Sequence, residues 1–342
     1  MRFAQVHELE HWDELIIESP NGGDVFQTKA FAQIKQSQGW MPQYVIYDVK
    51  NIACLYLSRK VPLIGELWYS PKGPGATNVT DFEQILKENQ EFAQDKKIFA
   101  FKMEPEILQT DGYPKDLHKV HNIQPNASTV IIDLSPNEAA ILATFRQRAR
   151  RAIRQAEAAG VTAEPVTPTQ ENFEQMYKLY KGTGERAGFH VRDFNYHRSL
   201  WQKWIDAHQG QLFFAYHNKQ VIAGVFIALI GKKGLYKDGA SDRDALKSGA
   251  AHLLQWRVMQ WLKSRGVTKY DLHGTPPADQ LENTQHKFYG LGLFKTSFSN
   301  SLTEFVGTLD QPINQNAYKA WCKLGERASQ SLEYRFKNRT FY

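Results

Sequence analysis

The sequence predicts an α/β protein of two tandem domains, each a mixed sheet flanked by helices. Three observations predict it. A length of 342 residues exceeds what one ordinary hydrophobic core encloses. A composition of 42% hydrophobic and 23% charged residues, with no low-complexity tract, excludes a disordered chain. Finally, one order of helices and strands runs twice along the chain.

In the first pass, a helix through Phe31 and Ile34 precedes the strands QYVIYDV and NIACLYLSRK, which turn at Lys50 and Asn51 as an antiparallel hairpin. A strand at GELWYS, a Gly/Pro loop PKGPG and a helix from Asp81 to Asp95 follow. The strand KIFAFKM, ending at Glu104 and Pro105, and a late strand STVIIDL close this pass. The second pass takes a helix through Leu200 and Trp204, then the strands QLFFAYH and QVIAGVFIALI turning at Asn218 and Lys219. GLYKDGAS, a helix from Ser248 to Arg265, KYDLHG before Pro276 and a late strand LTEFVGTL complete it, so Pro105 corresponds to Pro276 and Thr129 to Thr303. This order is similar to the GNAT-type acyltransferase fold, whose strands splay to make a cleft. It sets two GNAT-like domains, 1–135 (completed by 310–342) and 136–309. Fold alone does not fix function.

Ser135, Pro136 and Glu138 read as an N-cap, a first-turn proline and a capping-box acid, and predict a helix over 136–159 that stops at Gly160. At about 100° per residue, Ile141, Leu142, Phe145, Ala149, Ala152, Ile153 and Ala156 share a face. Arg146, Arg150, Arg151 and Arg154 lie opposite, with Arg148 just beyond. No acid falls between Phe145 and Ala156, whereas a solvated face normally mixes both signs. Either this is an exposed arginine face, or it is a docking surface for a nucleic-acid backbone such as tRNA. The net charge of +6 agrees with a polyanionic partner.

The composition also argues against other classes. The longest apolar run, Val221–Ile230, is far short of the roughly 20 residues of a membrane span. No leader-like segment opens the chain, and Cys54 and Cys322 cannot form a disulfide framework, so a cytoplasmic protein is expected. His7 with His11 and His118 with His121 are the close histidine pairs, and no cysteine lies near them; no metal is expected. There is no Gly-x-Ser-x-Gly, P-loop or dinucleotide fingerprint.

Seven segments, FAQIKQSQGW, FKMEP, RQRARRAIRQAEAAGV, ERAGFHVRDFNYHRSL, YKDGASD, KYDLHG and FKTSF with a following TEFVG, together resemble the FemABX family of peptidoglycan-bridge aminoacyltransferases. The absence of a long heptad segment makes this chain similar to the compact branch without a helical arm. The resemblance implies two GNAT-like domains and a reaction without a cofactor. In it, aminoacyl-tRNA acylates the side-chain amine of the stem peptide of UDP-MurNAc-pentapeptide or of a lipid-linked precursor. It also implies site roles. Lys35 would contact the precursor's diphosphate, and Arg192 and Tyr196 would bind the same sugar-diphosphate moiety. Lys295 would stand beside the tRNA ester and stabilise a developing oxyanion. Phe294 would stack on a terminal base, and Glu104 would line the cleft near the accepting amine. Where some members carry a substrate-binding tyrosine this chain has Asp238, so that contact is absent, taken by Tyr236, or altered.

Without the resemblance, Lys35 reads as a surface lysine, Arg192 and Tyr196 as an ordinary helix-start pair, and Phe294 as a core residue in a strand. Two rivals remain. A CoA-dependent GNAT enzyme would need a Gln/Arg-x-x-Gly-x-Gly/Ala loop, but Asp244 to Ala251 keeps one glycine and lacks the full pattern. A non-catalytic RNA- or membrane-surface-binding protein would use the basic helix and the basic tail. A lipid-linked acceptor would bring the chain to the inner membrane face, where Arg335, Lys337 and Arg339 would help it associate.

Overall fold

The computed structural model describes every residue except Asn126, His190, Arg243, Asp244, Leu246, Lys247 and 338–340, and leaves out the side chains of Phe336 and Lys337. Arg339 of the basic tail and three residues of the loop from Asp244 to Ala251 therefore lie outside the described residues. The chain forms two compact units, Met1–Ala127 with Glu304–Tyr342, and Ser128–Thr303.

Arg2 and Phe3 edge the first unit's seven-stranded sheet, antiparallel opposite Ile46 and Val45, and the meander follows helix α1 (Lys29–Ser37), where the Thr28 side chain accepts from the Phe31 N–H and Ala30, Phe31 and Ile34 are buried. Strands β1 (Met41–Ile46) and β2 (Ala53–Val61) pair antiparallel, from Met41 opposite Ser58 to Ile46 opposite Ala53. The turn between them has positive φ at Lys50 and Asn51, the two turn residues expected from sequence. β3 (Gly65–Ser70) continues the meander, and helix α2 (Val79–Phe92) crosses over to β4 (Ile98–Met103), parallel to β3. The Asn78 side chain caps α2 by accepting from the Asp81 N–H.

The second unit opens with β5 (Ile131–Asp133), then α3 (Glu138–Thr144), α4 (Gln147–Ala158), β6 (Thr162–Val166), α5 (Gln170–Ala187) and α6 (Phe194–Asp206). Its meander is β7 (Gly210–His217), β8 (Gln220–Ile230) and β9 (Lys233–Ser241). Helix α7 (Ala250–Ser264) then leads to β10 (Lys269–Asp271), parallel to β9. The strand order is β5-β10-β9-β8-β7-β6. Helix α8 (Tyr289–Lys295) closes the unit. The chain then returns to the first unit as β11 (Leu309–Pro312), α9 (Gln315–Ala320), a π turn (Trp321–Gly325) and α10 (Glu326–Lys337).

The two passes are therefore real, but their late strands are exchanged. STVIIDL does not close the first sheet: its strand β5 pairs antiparallel with β10, Ile132 opposite Tyr270. The end of LTEFVGTL does not close the second: β11 starts at Leu309 and pairs with β4, Leu309 opposite Met103. Strands adjacent in sequence usually pair, and that tendency gave the wrong partners here. Burial decides instead, because Val130, Ile132 and Leu134 belong to the second unit's core and Val306 and Leu309 to the first's.

The single basic helix expected over 136–159 is also two helices. Asn137, not Ser135, is the N-cap of α3; its side chain accepts from the Ala140 N–H, while the Ser135 hydroxyl donates to Asp133. The helix breaks where Phe145 and Arg146 adopt extended backbone. Phe145 is buried against Trp256 and Phe298, and the Arg146 N–H donates to the Ser297 carbonyl rather than along a helix.

Candidate active site

The segment FKTSF holds Lys295 at the last position of α8, so Phe294 lies in a helix rather than a strand and Thr296 caps its end. The approach of α8 requires Gly292: a Cβ there would lie 2.5 Å from Pro276. That approach brings the Lys295 ammonium to a turn in which His273 and Gly274 both have positive φ, and it donates to both their carbonyls, to Gly274 at 2.9 Å. Lys295 is only 4% exposed. Burial pulls its pKa down to about 7, although the Asp271 carboxylate opposes the change.

Beside this ammonium lies the Tyr236 ring, 5.3 Å from it. The register of β9 explains why Tyr236 and Asp238 serve different partners. Ile227 faces Tyr236 and Phe226 faces Asp238, so Lys237 is an extra, bulged residue. Gly239 leaves room for the tyrosine, since a Cβ there would fall 1.8 Å from its hydroxyl. Asp238 accepts from Trp201 Nε1 at 2.8 Å and from Lys237 Nζ at 3.0 Å. Burial raises its pKa, but Lys237, His197 and Trp201 outweigh it, and the carboxyl sits below its ordinary value. Of the two residues, Tyr236 rather than Asp238 lies beside the Lys295 ammonium.

Arg192 lies just before α6, whose N-cap is Asp193, rather than inside a helix with Tyr196. The cap accepts from the Tyr196 N–H at 2.9 Å, and the Arg192 guanidinium covers the Tyr196 ring at 4.4 Å. Next to them is a residue that sequence reasoning missed. His197 is 5% exposed, ringed by Tyr177, Tyr180, Tyr196 and Trp201, and its Nδ1 has no hydrogen-bond partner among the described residues. Burial lowers its pKa to about 4, so at neutral pH it is an uncharged imidazole. Its four-residue spacing to Trp201 was the available signal.

On α4 the apolar line Ala149, Ile153 and Ala156 is buried as expected, while Arg146, Arg151 and Arg154 are exposed. Arg150 and Arg148 have internal work. Arg150 donates to the Ala143 and Phe145 carbonyls released by the helix break, and Arg148 to the Leu293 carbonyl and the Thr296 hydroxyl. Phe294 packs edge-on against His252 and Phe298, 4.8 and 5.2 Å away. Gly249, the glycine that a CoA loop would use, starts α7 in a left-handed conformation, and a Cβ there would lie 2.3 Å from the Ala152 carbonyl oxygen of α4. Close packing of two helices already accounts for it.

In the first unit, Lys35 is 5% exposed near the end of α1, with its ammonium 5.6 Å from the Phe31 ring and 3.5 Å from the Gln38 side-chain oxygen, so it is no ordinary surface lysine. Glu104 follows β4 and is 1% exposed. It accepts from Tyr69 and Thr308 hydroxyls at 2.9 and 2.8 Å and from the Gln124 and Lys72 N–H groups at 3.1 and 3.4 Å. Burial raises its pKa and the four donors act against that rise. Among the described residues no three His, Cys, Asp or Glu side chains gather as a metal-holding group.

An acetyltransferase (GNAT) domain family model matches residues 143–287. The chain is 24% identical to the lipid II:glycine glycyltransferase of Staphylococcus haemolyticus, over 93% of this chain and 94% of that protein. It is equally similar to the protein of the same name from Staphylococcus aureus strain MRSA252, with the same coverage. The first alignment runs to 410 positions, longer than this chain, so the relative carries residues with no counterpart here, in keeping with a compact member. Among solved structures, FemX matches with a TM-score of 0.80 at 22% identity, over 94% of this chain and 99% of that one.

Proposed function

The chain belongs to the FemABX family of acyltransferases, and from that premise we propose that it moves an amino acid from aminoacyl-tRNA to the side-chain amine of a peptidoglycan stem peptide. The observation that carries this reading is likeness to the lipid II:glycine glycyltransferases along nearly the whole of both chains. That likeness favours a lipid-linked acceptor over the UDP-linked one.

In the proposed reaction the acceptor amine attacks the ester carbonyl and a C–N bond forms. The C–O bond to the tRNA ribose then breaks, and the proton lost by the amine ends on the ribose oxygen. Lys295 is suited to the intermediate: an ammonium has three hydrogens, two are taken by the His273 and Gly274 carbonyls, and the third serves an oxyanion. Glu104, already accepting four hydrogen bonds, is a weak proton acceptor, which favours proton transfer through water or the substrate itself. Arg192 with Tyr196 offers a cation over an aromatic ring for a sugar-diphosphate, and within the first unit Lys35 is a cation suited to a phosphate. Exposed Arg146, Arg151 and Arg154 suit a tRNA backbone. Phe294 would stack on a terminal base only by leaving part of its present packing.

The test is a single-turnover incubation with a panel of charged tRNAs and with lipid-linked or UDP-linked precursor. Ester consumption that requires precursor is expected, and Lys295→Met lowers it by about 10²-fold. Acetyl-CoA consumed in parallel while the tRNA ester stays intact overturns the reading in favour of a CoA-dependent N-acyltransferase.

A further inference from the structure

The helical stretch that ends the first unit divides its charges by sign. Its two acids face inward: Glu333, 8% exposed, pairs with Arg59 at 2.5 Å, and Glu326 accepts from the Tyr342 hydroxyl at 2.7 Å. Tyr318 and Trp321 are buried on the same side. Its described bases, Lys319, Lys323, Arg327 and Arg335, are all exposed. So is an apolar line at helical spacing, Leu324, Ala328 and Leu332, with the two leucines 71% and 56% exposed. Single exposed leucines mean little, but a leucine stripe bordered by bases, with every acid turned away, is the pattern of a helix lying in a lipid interface.

We propose that this face of α9 and α10 docks on an anionic lipid surface. Leu324 and Leu332 enter the acyl boundary, and Lys319, Lys323, Arg327 and Arg335 lie among headgroup phosphates. Charge complementarity selects an anionic partner, and the leucines select lipid over nucleic acid, because a phosphate backbone gives them nothing to bury against. Among the described residues no helix is long and apolar enough to cross a membrane, so the helix lies on the surface rather than spanning it. The proposal does not rest on the acceptor's identity, since docking is measured with neither substrate present.

The experiment is co-sedimentation of the full chain with phosphatidylglycerol-containing vesicles and with pure phosphatidylcholine vesicles, at low and high salt. Binding is expected only to the anionic vesicles, and it weakens with salt. The triple variant Lys323→Gln/Arg327→Gln/Arg335→Gln should lose about five-fold per charge, roughly 100-fold in all. Leu324→Ser/Leu332→Ser should lower binding at both salt levels, with thermal melting checking that both variants fold. Equal binding to neutral vesicles, or a triple variant that sediments like the parent, overturns the proposal. Loss of tRNA retention on a filter by the triple variant, with vesicle binding intact, overturns it and assigns the face to RNA.

Discussion

Lys295→Met separates a buried ammonium from its electrostatic consequences. Burial lowers the folded-state pKa of Lys295 from an ordinary 10.5 to about 7. Between those values the unfolded chain holds a proton that the folded chain has released, so stability rises with pH through this window and is least below it. From pH 7 to pH 9 the folded form gives up its remaining half proton while the unfolded chain keeps nearly all of its own. At about 1.4 kcal/mol per proton per pH unit, this amounts to about 2 kcal/mol of added stability for the parent. Methionine has nothing to titrate, so the difference in stability between parent and variant should shift by that amount. In a unit of this size the shift in melting temperature is about 5 °C. Melting both proteins at pH 7 and pH 9 measures it, with the pH response of the variant subtracting every other titrating group. Parallel responses would refute the reasoning: the two carbonyl acceptors would then hold the ammonium charged throughout.

Other expectations follow from single contacts. Lys102 and Asp310 form a buried pair at 2.7 Å, so losing either partner alone costs about 3–5 kcal/mol, while Lys102→Met/Asp310→Leu recovers most of it; urea unfolding of the four proteins tests this. Gly239→Ala puts a methyl where the Tyr236 hydroxyl lies, and should reduce turnover by about tenfold or more while altering melting little, read from kcat/KM beside a thermal scan. Arg150→Gln should lower the melting temperature, because it unsatisfies carbonyls at the helix break. Arg154→Gln should instead weaken tRNA binding and its salt dependence without changing stability, seen by titration at two salt concentrations.

Much of the fold is legible in sequence because periodicity and punctuation are local. The turns at Lys50 with Asn51 and at Asn218 with Lys219 fall where the strand pattern stops, and all four residues have positive φ. Pairing is not local. Nothing in STVIIDL names its partner strand, and only the burial of Val130, Ile132 and Leu134 in the second core decides it. The helix break was hidden for a similar reason: Phe145 has the right phase for one long amphipathic helix, but its contacts with Trp256 and Phe298 come from distant segments. At the site, the resemblance supplied residues and the structure supplies their settings. Lys295 shows no sign in sequence of burial or of its two carbonyl partners. The bulge at Lys237, which separates the work of Tyr236 from that of Asp238, is invisible in a strand that simply reads GLYKDGAS.

The exchanged late strands set the order in which the chain can be finished during synthesis. The second unit is a continuous segment, Ser128–Thr303, complete once the few residues after α8, Phe298 among them, have been made. The first is discontinuous: the edge of β4 that takes β11 stays open, and Lys102 stays without Asp310, until almost the whole polypeptide has been translated. An uncovered strand edge is a template for wrong pairing, so the nascent chain is most exposed to aggregation in the interval between β4 and β11. A nonsense mutation anywhere in that interval leaves the N-terminal sheet unfinished, including one placed after a fully folded second unit.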